Sequence, residues 1–276
     1  MRLLAFLTIL SVAQEIPAEN IPTNNAGMAM MEKEWRFSLV TCAPGKEIYQ
    51  LEGHTALRAT HKGGADLAIN WGVFDFDAPN FVYRFVKGET DYMVAAYPFY
   101  LFLEEYQKEE RRVVEQELNI TPQQAGNLMK LVEENLQPEN RTYRYNYVKD
   151  NCATRPLALI ERATGTEITL PSAGNSENPT FRSEMGSYHA SYPWYQFGID
   201  LALGAGIDYP ITERERTFAP VRLYDALENA WFINPEGNRI PVVKSTNVLV
   251  DGKPEGVAEE ATPWPLTPVA TGLYLL

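Results

Sequence analysis

The segment Asp150-Asn151-Cys152-Ala153-Thr154-Arg155 places one of the chain's two cysteines where a helix is expected to begin. Alternating aromatic chain precedes it, Tyr143-Arg144-Tyr145-Asn146-Tyr147, and Leu157, Leu159, Ile160 and Ala163 follow at helical spacing. A thiol at a helix start meets unpaired backbone N–H groups and the positive end of the helix dipole, which favour thiolate. Asn151 reads as the N-cap, and Pro156 is tolerated in a first turn. The expected chemistry is nucleophilic attack by Cys152.

Such a thiol needs a proton acceptor, and there are three histidines, His54, His61 and His189. His54 lies at the start of a probable strand, Gly53-His54-Thr55-Ala56-Leu57-Arg58, where Gly53 lets other groups approach, and it is the preferred base. His61 adjoins the turn signature Lys62-Gly63-Gly64 and reads as solvated. His189 sits between aromatic helical stretches and reads as structural.

The elements that must position these groups are legible in part. Trp35 to Cys42 alternates like a strand, and Thr55 to Thr60 with Leu67 to Phe74 suggest an antiparallel pair. Asn80 to Lys87 suggests a short helix stopped by Gly88. Strands are expected over Asp91 to Tyr97 and Arg112 to Leu118, with a helix near Phe99 to Glu109 between them. Thr121-Pro122-Gln123-Gln124 starts a helix running to about Asn135. From Phe181 to Phe232 the pattern is helical with breaks, and Val242, Val243, Val248 and Val250 suggest a small hairpin around Ser245-Thr246-Asn247.

Domain boundaries follow from composition. Residues 1–13 read as a compact secretory signal, with Arg2, an apolar run from Leu3 to Val12 and a small-residue close. Residues 14–31 read as a leader or linker, 32–233 as the packed domain with a helical extension from about 180, and 234–276 as a proline-rich tail. The apolar stretch ending at Leu276 is too short to span a bilayer, but would fit a chain continuing into a membrane segment.

The net charge of −12 argues against a nucleic-acid partner and against passive adhesion to anionic lipid. The cysteines and histidines show neither metal-ligand spacing nor a phosphate-binding glycine loop, so no metal or cofactor is expected. In an exported protein, Cys42 and Cys152 could instead form a disulfide, the mark of a non-catalytic binding module.

A histidine on a strand ahead of a cysteine at a helix start resembles the order in circularly permuted papain-like folds, among them the NlpC-type enzymes. The chain more closely resembles the N-terminal periplasmic domain of Lnb, the lipoprotein N-acyltransferase family of Bacteroidetes. Six segments carry the resemblance: Ser38 to Gly45, Gly53 to Arg58, Asn70 to Phe76, Pro138 to Arg141, Asp150 to Arg155 and Phe197 to Leu201. It implies an α+β fold with an antiparallel sheet, packed helices and a helical C-terminal extension. It also implies a periplasmic, membrane-proximal thiol enzyme facing the inner membrane. The implied reaction takes an acyl chain from a phospholipid and passes it through a thioester to the N-terminal amine of a lipoprotein.

In that chemistry His54 takes the Cys152 proton, and the Cys152 N–H is the natural first oxyanion donor. Asn70 is preferred to Asp66 as the third residue, because an amide oxygen accepts the ring N–H. Arg58, Arg155, Asn151 and Tyr147 are the candidate substrate contacts. The two arginines suit phosphate or carboxylate, or else internal ion pairs with Asp75 or Asp150. Tyr143, Tyr145 and Tyr147 suit an acyl groove or plain strand packing. The same dyad would serve a cysteine peptidase or amidase acting on peptidoglycan or peptide if water replaced the amine.

Overall fold

A computed structural model describes residues 35–74, 79, 84, 87–171, 179–234 and 236–252. The expected signal segment and leader, most of the helix expected at 80–87 and the last 24 residues lie outside them. The fold is α+β, built on a seven-stranded antiparallel sheet in the order β6-β4-β3-β2-β1-β5-β9. Its strands are β1 (Trp35–Cys42), β2 (His54–His61), β3 (Asp66–Val73), β4 (Asp91–Pro98), β5 (Val113–Leu118), β6 (Thr142–Arg144) and β9 (Val243–Val250). A separate ribbon pairs β7 (Trp231–Ile233) with β8 (Arg239–Pro241).

Strand alternation gives the sheet two apolar faces. Leu39 pairs with Leu57 and Val40 with Ala56, so each neighbouring pair on β1 and β2 points the opposite way from the last. Phe37, Leu39, Leu57, Ile69, Trp71 and Val94 form the larger core on one face. Against it pack the buried sides of α2 (Pro122–Leu136), α3 (Thr154–Thr164) and α7 (Pro220–Glu228), through Leu128, Leu157, Ile160 and Leu223. Val40, Cys42, Ala56 and Ala68 occupy the other face beneath α1 (Phe99–Lys108), which contributes Phe99, Phe102 and Tyr106. A third cluster, with Phe181, Met185, Ile199 and Phe218, holds together α4 (Phe181–Tyr188) and α5 (Pro193–Leu203), and the short α6 (Glu213–Arg216) lies between its members Ile211 and Phe218.

Local signals explain several boundaries. Thr121 and Gln124 form a reciprocal capping box at α2, with Pro122 at its first position. The tyrosine-rich strand is shorter than its pattern predicts. It ends at Arg144, and Asn146 and Asp150 then bridge across a turn that the Asn146 side chain closes by accepting the Val148 and Lys149 amides. The hairpin expected around Ser245-Thr246-Asn247 is not formed: these residues lie inside β9 and pair with Gln116 and its neighbours on β5. Polar residues on an outer strand look like turn chemistry in sequence, and the ladder to β5 overrides that local preference.

Candidate active site

β2 and β3 remain paired from Thr60↔Asp66 to Leu57↔Ile69, with no paired residues beyond that point. A register shift between Trp71 and Val73, with Gly72 at φ 94°, bends β3 away there. Cys152 enters beside this bend. The backbone N–H groups of Thr55 and of Cys152 itself lie near its sulfur and favour the thiolate. A Cβ added to Gly72 would lie 3.8 Å from the Cys152 Cβ.

The turn that delivers Cys152 is tied by Asn151, which is buried. Its Oδ1 accepts the Ala153 and Thr154 amides at 2.9 and 3.0 Å, and its Nδ2 donates to the carbonyls of Tyr147 and Phe218 at 2.8 and 3.0 Å. Thr154 Oγ1 accepts the Asn151 N–H in return, at 2.8 Å. Asn151, expected as the N-cap, instead ties the turn ahead of the helix: the N-cap is Ala153, with no side-chain cap bond, and the regular helix begins at Thr154, two residues beyond the thiol. Every polar atom of the Asn151 side chain is engaged within the protein.

His54 immediately precedes Thr55, whose N–H lies near the sulfur. Its Nε2 lies 2.6 Å from Asn70 Oδ1, while Asn70 Nδ2 donates to the Tyr97 hydroxyl at 3.2 Å. An amide oxygen only accepts, so Nε2 carries the ring hydrogen and Nδ1 keeps a lone pair. His54 and Asn70 are hydrogen-bonded to each other at the splayed end of β2 and β3, and Cys152 approaches the same strand at Thr55, the residue after His54. Asp66, at the far end of β3, pairs with Arg58 instead.

The charge state differs from the sequence expectation. Burial pushes the Cys152 thiol up to about 11, against the lowering effect of the two amide donors, and nearby Glu52 raises it further. Burial pulls His54 down to about 4; the Asn70 bond opposes this shift and the positive charge of Arg111 adds to it. Cys152 rests as a neutral thiol and His54 as a neutral imidazole, so the thiolate expected from the helix start is corrected: loss of water outweighs the dipole.

The remaining predicted residues have other partners. Arg58 forks onto Asp66 at 2.7 and 2.8 Å, reaches Glu115 at 3.1 Å and lies 4.1 Å over the Phe99 ring. Arg155 forks onto Asp150 at 2.5 and 2.8 Å and lies 3.5 Å over Tyr143. Both arginines are taken up by ion pairs; of the two carboxylates foreseen for them, Asp150 is the partner of Arg155, while Arg58 uses Asp66 and Glu115. Tyr147 hydrogen-bonds Tyr195. Cys42 and Cys152 are both free, so no disulfide joins them. His61 packs against Trp35 with ring centroids 4.8 Å apart.

Three residues near the site escaped sequence reasoning, Tyr97, Arg111 and Glu52; His189, read as structural, is the partner of Glu52. An aromatic row also stands beside the thiol. Tyr145 stacks on Tyr92 at 4.1 Å, Tyr92 on Phe74 at 4.8 Å, and Phe74 meets exposed Tyr49 edge-on at 5.9 Å. A surface cavity of about 250 Å³ lies elsewhere, at the Trp35 end of β1.

The family model described as the Lnb N-terminal periplasmic domain matches residues 29–183, more than half of the chain. No curated protein and no solved structure matches it.

Proposed function

The chain belongs to the Lnb N-terminal periplasmic domain family, and from that premise we propose that it is a cysteine acyltransferase of permuted papain-like type. It moves an acyl chain from a phospholipid to the N-terminal amine of a lipoprotein through a Cys152 thioester. The observation that carries the reading is the His54 Nε2 to Asn70 Oδ1 bond of 2.6 Å, made by the residue before the Thr55 that faces the partly exposed Cys152 thiol. It leaves His54 Nδ1 unprotonated and fixes the ring that would take the thiol proton.

In the proposed reaction, proton transfer from Cys152 to His54 accompanies attack of sulfur on the donor ester carbonyl. Neither group needs to be charged beforehand, which suits two groups that rest neutral. The Thr55 and Cys152 N–H groups, already near the sulfur, stabilise the oxyanion as it forms. His54 then returns the proton to the leaving lysophospholipid alkoxide, and the acyl group stays on Cys152. Attack of the lipoprotein amine forms the amide and frees the thiol.

The aromatic row from Tyr145 to Tyr49 favours an acyl chain over a polar peptide beside the thiol, because stacked rings offer apolar surface with no charge to be matched. No described helix is long and apolar enough to cross a membrane. The domain works against the outer surface of the inner membrane, where phospholipid and lipoprotein meet. The test is conversion of diacyl to triacyl lipoprotein, followed by mass spectrometry. Cys152→Ser lowers the rate by at least about 1,000-fold if the thiol is the nucleophile; conversion at the parent rate removes Cys152 from that role.

A further inference from the structure

His189 is completely buried, and its Nε2 lies 3.5 Å from Glu52 Oε1. Its other nitrogen, Nδ1, sits 2.7 Å from Gln196 Oε1. Gln196 Nε2 donates to Asp200 Oδ1 at 2.6 Å, and Arg182 holds Asp200 at 2.7 Å. Because the amide nitrogen faces the carboxylate, its oxygen must face the ring, and His189 Nδ1 is the nitrogen that bears hydrogen. The other ring nitrogen, Nε2, faces Glu52.

Glu52 Oε1 and His189 Nε2 are both buried, and neither has a hydrogen-bond partner among the described residues. A buried carboxylate oxygen left without a hydrogen-bond donor is costly unless a donor or cation comes to it. Around them stand tyrosines. The His189 and Tyr195 rings are 4.9 Å apart, and Tyr195 hydrogen-bonds Tyr147. A carboxylate walled by tyrosine rings is the chemistry that binds an ammonium group.

This cluster adjoins the thiol through the chain itself. Glu52, Gly53, His54 and Thr55 are consecutive; His54 holds Asn70, and the Thr55 N–H lies near the Cys152 sulfur. Gly53 has φ 79°, and a Cβ there would fall 2.5 Å from the Cys42 carbonyl, so the turn that sets Glu52 beside the site admits no side chain. The Glu52 charge is felt at Cys152 and at Tyr145, Tyr147 and Tyr195.

We propose that Glu52, backed by His189 and walled by Tyr147 and Tyr195, is the subsite that receives the ammonium group of the acyl acceptor. The inference rests on the acyltransfer reading above and assigns its second half. The acceptor ammonium gives one proton to Glu52, with His189 as the positioning partner. The resulting amine attacks the thioester carbonyl carbon, the C–N bond forms and the C–S bond breaks. The second proton leaves nitrogen through His54 to the Cys152 sulfur, restoring the thiol, and Glu52 releases its proton to solvent.

The two half-reactions separate the proposal from the reading beneath it. Parent protein and Glu52→Gln are incubated with phosphatidylethanolamine and phosphatidylglycerol vesicles, and the Cys152 thioester is followed by intact mass. A diacylglyceryl lipopeptide with a free N-terminus is then added. Expected is that Glu52→Gln loads at least as fast as the parent, having lost a negative charge beside the thiol. It then discharges to the lipopeptide about 100-fold more slowly. Glu52→Asp should recover part of that loss, and neutral hydroxylamine should clear the parent and variant thioesters alike. Discharge of Glu52→Gln to lipopeptide at the parent rate overturns the subsite alone. Equal slowing of loading and discharge also overturns it, by marking Glu52 as structural. A parent protein that never carries a thioester overturns the acyltransfer reading and the subsite with it.

Discussion

Cys42 and Cys152 show how surroundings divide one residue type into two chemistries. Cys42 ends β1 on the α1 face, fully buried in a cluster with Phe102, Tyr106 and Val113. Burial holds its thiol far above the ordinary range, and a bond with Tyr106 and the Arg111 charge only partly oppose this. Cys152 is partly exposed where β2 and β3 diverge, with the Thr55 and Cys152 backbone N–H groups near its sulfur and His54 preceding Thr55 in the chain. Both thiols rest protonated, so under the proposed function exposure and the nearby His54, not a ready-made thiolate, would single out Cys152 as the nucleophile.

The comparison can be broken by exchanging the losses. The largest expected contrast is between Cys152→Ser, with its loss of at least about 1,000-fold, and Cys42→Ala. The second keeps lipoprotein acylation within about two-fold while its urea midpoint falls by the equivalent of about 1 kcal/mol, the scale of a small core deletion. Comparable losses of activity in both would dissolve the distinction. Next comes His54→Ala, expected to slow thioester formation by about 100- to 10,000-fold, as removal of a general base does; single-turnover loading measures it. Asn70→Ala should cost about 10- to 100-fold in the same assay, because it frees the ring to rotate and exchange tautomers.

The smallest effect is on pH. His54 is held at about 4, below the ordinary value of 6.5, so the folded protein keeps its base neutral where the unfolded chain would protonate it. Loading should therefore not show the loss near 6.5 typical of a free imidazole, and should fall only as pH approaches 4. In the same window the unfolded chain binds the extra proton, so the His54 contribution to stability declines as pH drops from 6.5 toward 4. Urea midpoints of the parent and His54→Ala across that range isolate the term. A loading profile with its midpoint at 6.5 would contradict the buried, neutral base.

Much of this was legible because it is local. The Cys152 helix start, the His54 strand and the Asn70 acceptor could be read as residue types at the ends of elements, and the capping box of α2 as four letters. What failed was tertiary. The Ser245 to Asn247 stretch looks like a turn until β5 pairs with it, and Arg58 looks available until Glu115 arrives from another strand. The thiolate expectation weighed the helix end alone, whereas burial among residues distant in sequence decides the charge. Glu52 and His189 lie 137 positions apart and meet only when α4 closes on the β2 turn, and no periodicity announces such a pair.

The claim on which the rest depends is that Cys152 carries the acyl group. The direct measurement is peptide mapping of the intact protein after exposure to phospholipid vesicles without acceptor. The account predicts one hydroxylamine-sensitive acyl adduct on the Cys152 peptide, absent in Cys152→Ser and retained in Cys42→Ala. An adduct on Cys42, or lipoprotein acylation by a Cys152→Ser protein that carries none, would contradict it.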